Sequence, residues 1–183
     1  MDRRVEKTRK AIFEAFTGLL KKKNFESITV SELASAADIN RVTIYKHFSD
    51  IYDVLDQCIA SNLSPFLADC GSDTMEKLTL KAFEYLYQNR ATLNLLFKAA
   101  GPGALHEKVA DAFKERNNHI RAIANSDNPL YTELKTQYLI SALAGVFEWW
   151  LTAPDGYSVN EVCDTFLNIL DEFFPEYNSS GIN

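Results

Sequence analysis

Apolar residues recur at helical spacing along nearly the whole chain. From Asp2 to Lys23, Val5, Ile12, Ala15, Phe16 and Leu19 share one face, widened by Phe13 and Leu20, so this run reads as an amphipathic helix. Asn24, a residue that tolerates left-handed backbone, is expected to close it, and Phe25 and Ile28 to tuck the connection against it. Two short helical patterns follow, with a tight bend between them. Thr29 and Glu32 form a capping box, and Leu33, Ala34 and Ala37 form an apolar stripe. Asp38 suits the left-handed position of the bend. Asn40 is the next N-cap, and Ile44 and Phe48, four apart, are the buried face of the second helix. A bulky residue in place of Ala34 would keep the two helices from crossing closely. The pattern is a helix-turn-helix.

Beyond it the helices lengthen. Asp50 and Asp53 cap a helix carrying Val54, Leu55, Cys58 and Ile59, expected to be disturbed at Pro65. Gly71-Ser72-Asp73 breaks the chain, and Asp73 with Glu76 caps the next helix, which carries Leu78, Ala82, Tyr85 and Leu86. A turn is expected at Asn89-Arg90, before Leu93, Leu96 and Phe97, and a break at Gly101-Pro102-Gly103. Leu105, Val109, Ala112, Phe113, Ile120 and Ile123 trace another helix, ended by residues 125–129. A long helix runs from Leu130 to Thr152, with Leu139, Ala142, Leu143, Val146, Phe147 and Trp150 on one face. After Pro154-Asp155-Gly156, Ser158 and Glu161 cap a final helix with Val162, Phe166, Leu167, Ile169, Leu170 and Phe173. The fold class is therefore all-α, with about nine helices. Residues 1–49 form a three-helix domain with the helix-turn-helix, and residues 50–183 form a helical bundle.

The last two helices are apolar over more than one face, and Ala142, Ala144 and Gly145 would let a partner backbone approach. Self-association through a four-helix bundle supplies the missing burial; the alternative is that they form the core of a monomer.

Charge changes the picture more than composition does. The net charge of −6 alone argues against nucleic acid, yet residues 1–49 hold ten Lys/Arg against six Asp/Glu, net +4. Residues 50–183 hold nine against nineteen, net −10. A basic head on an acidic body concentrates attraction for phosphate in one place. Arg3, Arg4, Lys7, Arg9 and Lys10 crowd the first turns of the first helix, the wrong end for its dipole, which points them at something outside the helix. Lys21-Lys22-Lys23 sits at the favourable end and reads as structural. Cys58, Cys70 and Cys163 are widely spaced and fit reduced thiols of a cytoplasmic protein. No stretch approaches the roughly 20 apolar residues of a membrane span, and the charged start lacks a signal-peptide core.

With Ile39, Ile44 and Phe48 inward, the second helix of the motif presents Val42, Thr43, Lys46 and His47, flanked by Arg41 and Tyr45. Arg reads guanine through two acceptors and a Val methyl meets a thymine methyl, while Tyr, Lys and His reach phosphate oxygens. The bland alternative is a solvated helix face. One helix reads about four base pairs, too few to single out an operator, so a twofold pair on palindromic double-stranded DNA is expected. Enzyme chemistry is poorly served: His47, His106 and His119 are scattered, no glycine-rich phosphate loop appears, and no Ser or Cys has a nearby base. Paired metal-ligand spacing is missing too, so no catalytic residue, metal or cofactor is assigned.

The run from Phe25 to Phe48, with Thr-Val-Ser-Glu-Leu-Ala, Ile-Asn-Arg and Thr-Ile-Tyr-Lys-His-Phe, resembles the DNA-binding segment of the tetracycline-repressor (TetR) family over about the first 55 residues. The resemblance implies a dimeric transcriptional regulator, usually a repressor, whose C-terminal domain binds a small inducer. By that match Arg41, Val42, Thr43 and Lys46 approach bases, Thr29, Tyr45 and His47 hold phosphates, and Ser31 joins the DNA-facing set. The chain departs from the family pattern at Asp38, where glycine is usual, at Val42, where a small residue is frequent, and at Ile51, where a phosphate-binding lysine is common.

The body is rich in aromatics, most of which read as core. Phe83, Tyr87, Phe97, Phe113, Tyr138 and Trp149 are the candidate lining of a pocket for a hydrophobic or aromatic effector, with Tyr87, Tyr138 and Trp149 supplying polar tips. The run Gly145-Val146-Phe147-Glu148-Trp149-Trp150-Leu151 resembles a helix signature in some branches of the family. Two other readings stand beside the repressor: an activator of the same fold, and an interaction module whose basic head docks an acidic protein.

Overall fold

The structure, a computed structural model, describes residues 3–68, 75–115, 128–152 and 156–173, without the side chains of 66–68, 75 and 112–115. Among these residues every regular element is helical. The order is α1 (Arg3–Leu20), a 3-10 turn (Phe25–Ser27), α2 (Val30–Ala36), α3 (Arg41–His47), α4 (Ile51–Ala68), α5 (Met75–Ala100), α6 (Ala104–Glu115), α7 (Pro129–Thr152) and α8 (Val159–Phe173). The chain packs as two compact units. One comprises residues 1–65 with 91–102, the other 66–90 with 103–183.

In the first unit α1 packs on α2, and α2 on α3. Ile12, Phe16, Phe25, Ile28, Leu33, Ile44 and Phe48 are buried between them. Phe16 and Phe25 meet edge to face at 6.2 Å, and Phe25 meets Tyr52 of α4 in the same way at 5.1 Å. α1 stops at Leu20, three residues before the expected end, because the amides of Lys22 and Lys23 both turn back to the carbonyl of Leu19. That closure leaves Asn24 nothing to do as a left-handed cap. It is extended (φ −65°, ψ 147°) and leads into the 3-10 turn, correcting the expectation for that residue.

The bend of the helix-turn-helix is a Schellman closure. Asp38 sits at φ 52°, the amide of Ile39 donates to the carbonyl of Ala34 at 3.0 Å, and that of Asp38 to Ser35 at 3.3 Å. Asp38 is the one non-glycine residue with positive φ among those described. A short polar side chain tolerates this conformation where a branched one would clash.

One expected turn is absent, and one helix runs on past its proline. α4 continues through Pro65 to Ala68, and α5 continues through Asn89-Arg90. The Asn89 amide donates to the carbonyl of Tyr85, one turn back, at 2.9 Å. It therefore reinforces the helix it was expected to end. The break at Gly101-Pro102-Gly103 is present, with both glycines at positive φ. The expected features at residues 71–74, 116–127 and 153–155, as well as Cys70 and His119, lie outside the described residues.

In the second unit Phe83 is fully buried at the centre of a ring cluster, with Phe147 at 5.0 Å, Phe166 at 5.8 Å and Trp150 at 6.4 Å. The Trp150 indole N–H donates to the carbonyl of Phe83 at 3.3 Å. Asn128 caps α7 and Ser158 with Glu161 caps α8, the latter with both bonds of the capping box. α6 packs along α7.

Candidate nucleic-acid interface

The recognition surface is fixed by three local devices. At the start of α2 the amide of Glu32 donates to the Thr29 hydroxyl, which in turn donates to the Glu32 carboxylate, as does the Thr29 amide. Lys23 adds an ammonium bond to the same carboxylate at 2.7 Å and another to the carbonyl of Ser27. At the start of α3 the Asn40 side chain accepts from the amide of Val42 at 2.8 Å. At its end the amide of Phe48 closes on Ile44 at 2.9 Å, and the Phe48 ring seals the unit against Phe13 at 5.7 Å. Ile44 is wholly buried, so the opposite face of α3 points outward.

That face carries the expected residues. Arg41, Val42, Tyr45 and Lys46 are exposed, while Thr43 and His47 are half-buried. Val42 is 61% exposed, a large value for an apolar side chain with no structural duty on this surface. The Arg41 guanidinium donates to the Tyr45 hydroxyl at 3.0 Å and lies over the Tyr45 ring at 5.4 Å, so the two side chains form one unit on adjacent turns. Ser31 is exposed at the start of α2. Thr29, also exposed, gives both its donors to the Glu32 carboxylate as the cap of α2.

Of the basic residues on α1, Arg3, Arg4, Lys7 and Lys10 are exposed. Arg9 turns inward. It donates to the Gln57 side chain of α4 at 2.6 Å and lies over the rings of Phe13 and Phe48, at 5.5 and 5.1 Å. Gln57 donates to Asp53 at 2.6 Å, and Asp53 accepts the amide of Ser49 at 2.8 Å. The Asp53 carboxyl is accordingly held below its ordinary range, first by the Ser49 amide and then by Gln57. Sequence reasoning missed this relay. Its one visible signal was the four-residue spacing of Asp53 and Gln57; the partner on α1 is 48 positions away.

The Glu32 carboxyl is pulled down to about 2, chiefly by the Lys23 ammonium, then by the amide and hydroxyl of Thr29. A depressed folded value means the cap contributes fully above the ordinary 4.5 and is lost as pH falls from there toward 2. A carboxyl-detected NMR titration should place the Glu32 midpoint near 2. A midpoint at the ordinary value would mean that Lys23 and Thr29 do not hold it.

The residues of the expected effector pocket are divided. Phe83, Tyr87 and Trp149 gather around Trp150, with Tyr87 stacked on it at 5.4 Å and Trp149 tilted at 6.0 Å. The Arg90 guanidinium lies over the Tyr87 ring at 4.7 Å. Tyr138 is exposed on α7, and Phe97 is buried in the first unit. Phe113 lies outside the described side chains. Cys58 and Cys163 are buried free thiols, pushed up by burial to about 12 and about 11, which makes them poor nucleophiles.

Comparison with known proteins agrees with this architecture. Residues 12–58 match the bacterial regulatory proteins of the tetR family, and residues 73–172 match a transcriptional regulator C-terminal region. The chain is 31% identical over 117 residues to the HTH-type transcriptional regulator YdeS of Bacillus subtilis (strain 168), covering 62% of this chain and 58% of that protein. It is 22% identical over 180 residues to YxbF of the same organism, covering 93% and 46%. The chain thus spans about half the length of the curated relatives it matches. A TetR transcriptional regulator from Streptococcus agalactiae 2603V superposes with a TM-score of 0.73 at 22% identity, covering 92% of this chain and 96% of that one. The dihydroxyacetone kinase operon activator DhaS gives 0.63 at 17% identity, with the same coverage. NalD, the secondary repressor of the MexAB-OprM multidrug efflux pump in Pseudomonas aeruginosa, gives 0.62 at 19%, again with that coverage. No helix among the described residues is long and apolar enough to cross a membrane. The matched segments and the shared fold together show that this chain belongs to the TetR family of transcriptional regulators.

Proposed function

We propose that the chain is a cytoplasmic repressor that binds a palindromic operator on double-stranded DNA as a homodimer and is released by a small effector held by residues 50–183. The observation that carries the reading is the outward face of α3. It presents Arg41, Val42, Thr43 and Lys46 for bases, with Ser31, Tyr45 and His47 at its edges for phosphates, on a motif whose turn and caps are all hydrogen-bonded. Residues 1–49 carry the recognition chemistry and residues 50–183 the assembly. DhaS, of the same fold, is an activator, so activation from a different operator position is the second reading.

Binding to duplexes across a salt series tests this. Affinity is expected to fall by orders of magnitude between low and physiological salt while a preference for one sequence persists. Indifference to duplex DNA together with tight binding to an acidic protein would instead make the basic head a protein-docking module.

The homodimer reading is supported by apolar surface left uncovered on the last two helices. Leu134, Tyr138 and Trp149 of α7, and Ile169 and Phe173 of α8, are between 45% and 63% exposed. Gly145 has open space where a side chain would stand. Such uncovered apolar area on the last two helices calls for a partner surface. Tyr138→Glu combined with Ile169→Glu is expected to convert a sedimenting dimer into a folded monomer and to abolish operator binding. A double variant that stays dimeric would place the interface elsewhere.

The effector on this reading is an aromatic or apolar molecule recognised by Phe83, Tyr87 and Trp149 around Trp150. It acts by binding one conformation better than another.

A further inference from the structure

The first unit has an open cavity of about 600 Å³ between α1, the middle of α4 and Thr92 of α5, with Glu6, Lys10, Glu14, Ser61 and Ser64 exposed at its rim. This is the size range of small-molecule sites. The charges on its α1 wall cancel, Glu6 and Glu14 against Arg9 and Lys10. Facing them are the hydroxyls of Ser61, Ser64 and Thr92, for which no hydrogen bond to another described residue is found. Phe13 and Cys58 supply apolar surface. An ion of either sign would meet a like charge beside every opposite one. An apolar molecule would strip water from donors and acceptors without replacing it. A neutral molecule rich in hydroxyls can donate to the carboxylates and accept from the cations at once.

We propose that this cavity is a regulatory site for a net-neutral, hydroxyl-rich small molecule of sugar size, and that Arg9 conveys its occupancy to the end of α3. The proposal rests on α3 being the element that reads DNA. Arg9 lines the cavity and also supports the recognition helix, through its bond to Gln57 and its place over the Phe48 ring. From Gln57 the chain of bonds continues to Asp53 and to the amide of Ser49, the residue that follows Phe48. A ligand hydroxyl that claims the Arg9 donors draws the guanidinium away from Gln57 and Phe48. The junction of α3 and α4 then loses its support, and the reading face loses its fixed orientation.

The test fills the cavity covalently. Ser61→Cys, in a Cys70→Ser background, is modified with glucosyl, trimethylammonioethyl or sulfonatoethyl methanethiosulfonate. Exposed Ala60→Cys, next door on α4 but outside the lining, serves as the control. Melting temperature and affinity for a selected operator duplex are read for each. Cys58, which lines the cavity, and Cys163 are buried, and mass spectrometry of the reagent-treated Cys70→Ser parent verifies that neither is modified. Unmodified Ser61→Cys should bind the operator as the parent does. The glucosyl adduct should raise the melting temperature and weaken operator binding at least about tenfold. The two charged adducts should not raise the melting temperature, and no adduct at position 60 should change affinity. Adding Gln57→Leu should remove the effect of the glucosyl adduct on binding. Unchanged affinity with the glucosyl adduct, equal effects at positions 60 and 61, or an effect that survives Gln57→Leu would overturn the proposal. Three adducts that behave alike would overturn the assigned ligand class. Failure of the unmodified parent to bind any duplex would instead overturn the reading of α3.

Discussion

Phe48→Ala should destabilise the first unit by about 3–5 kcal/mol, the range for removing a buried aromatic ring. Phe48 is 2% exposed and is surrounded from two sides, by the Phe13 ring and the Arg9 guanidinium. Its truncation opens a cavity directly behind α3. Whole domains are stable by only about 5–15 kcal/mol, so a loss of this size removes a large part of the margin. Urea unfolding should show the lower midpoint, and operator binding should fail over the same range of conditions. Phe48→Leu, which keeps most of the volume, should retain more of both. A Phe48→Ala protein as stable as the parent would mean that the ring does not seal the unit in solution.

Arg41→Ala should leave the fold intact and relax the preference at one base pair in each half-site, by about 1–3 kcal/mol per site. Arg41 is exposed and touches Tyr45 on the same surface, so stability should change little. Its bond to Tyr45 adds a second expectation. Tyr45→Phe removes the hydroxyl that orients the guanidinium as well as a phosphate donor, so it should weaken binding to all sequences. The double variant should show a coupling of about 0.5–3 kcal/mol, as residues in direct contact do. Binding selections with each variant would separate these effects. A base preference unchanged by Arg41→Ala would remove that residue from the reading set.

The helix-turn-helix was legible in the sequence because its caps and its turn are set by local devices. Thr29 and Glu32 are three apart, Ile44 and Phe48 are four apart, and the left-handed bend needs one tolerant residue, Asp38. Caps and periodicity encode such features within a few positions. The misreadings were also local, and each had a competing bond. Asn89 suits a turn but its side chain bonds back to Tyr85, and Asn24 suits a left-handed cap but Lys22 and Lys23 close the helix before it. What could not be read was tertiary. Its position on α1 places Arg9 among the outward cations, yet Gln57 and Phe48, far along the chain, draw it inward. Phe97 and Phe83 share one long helix, yet they pack in different units of the chain.

The twofold reading of DNA by α3 is tested most directly by selecting bound duplexes from random sequence with the purified protein. An inverted repeat is expected, with half-site centres about one helical turn apart, roughly 34–36 Å, or a multiple of that. Recovery of unrelated duplexes, or of a single asymmetric site bound by one chain, would contradict it.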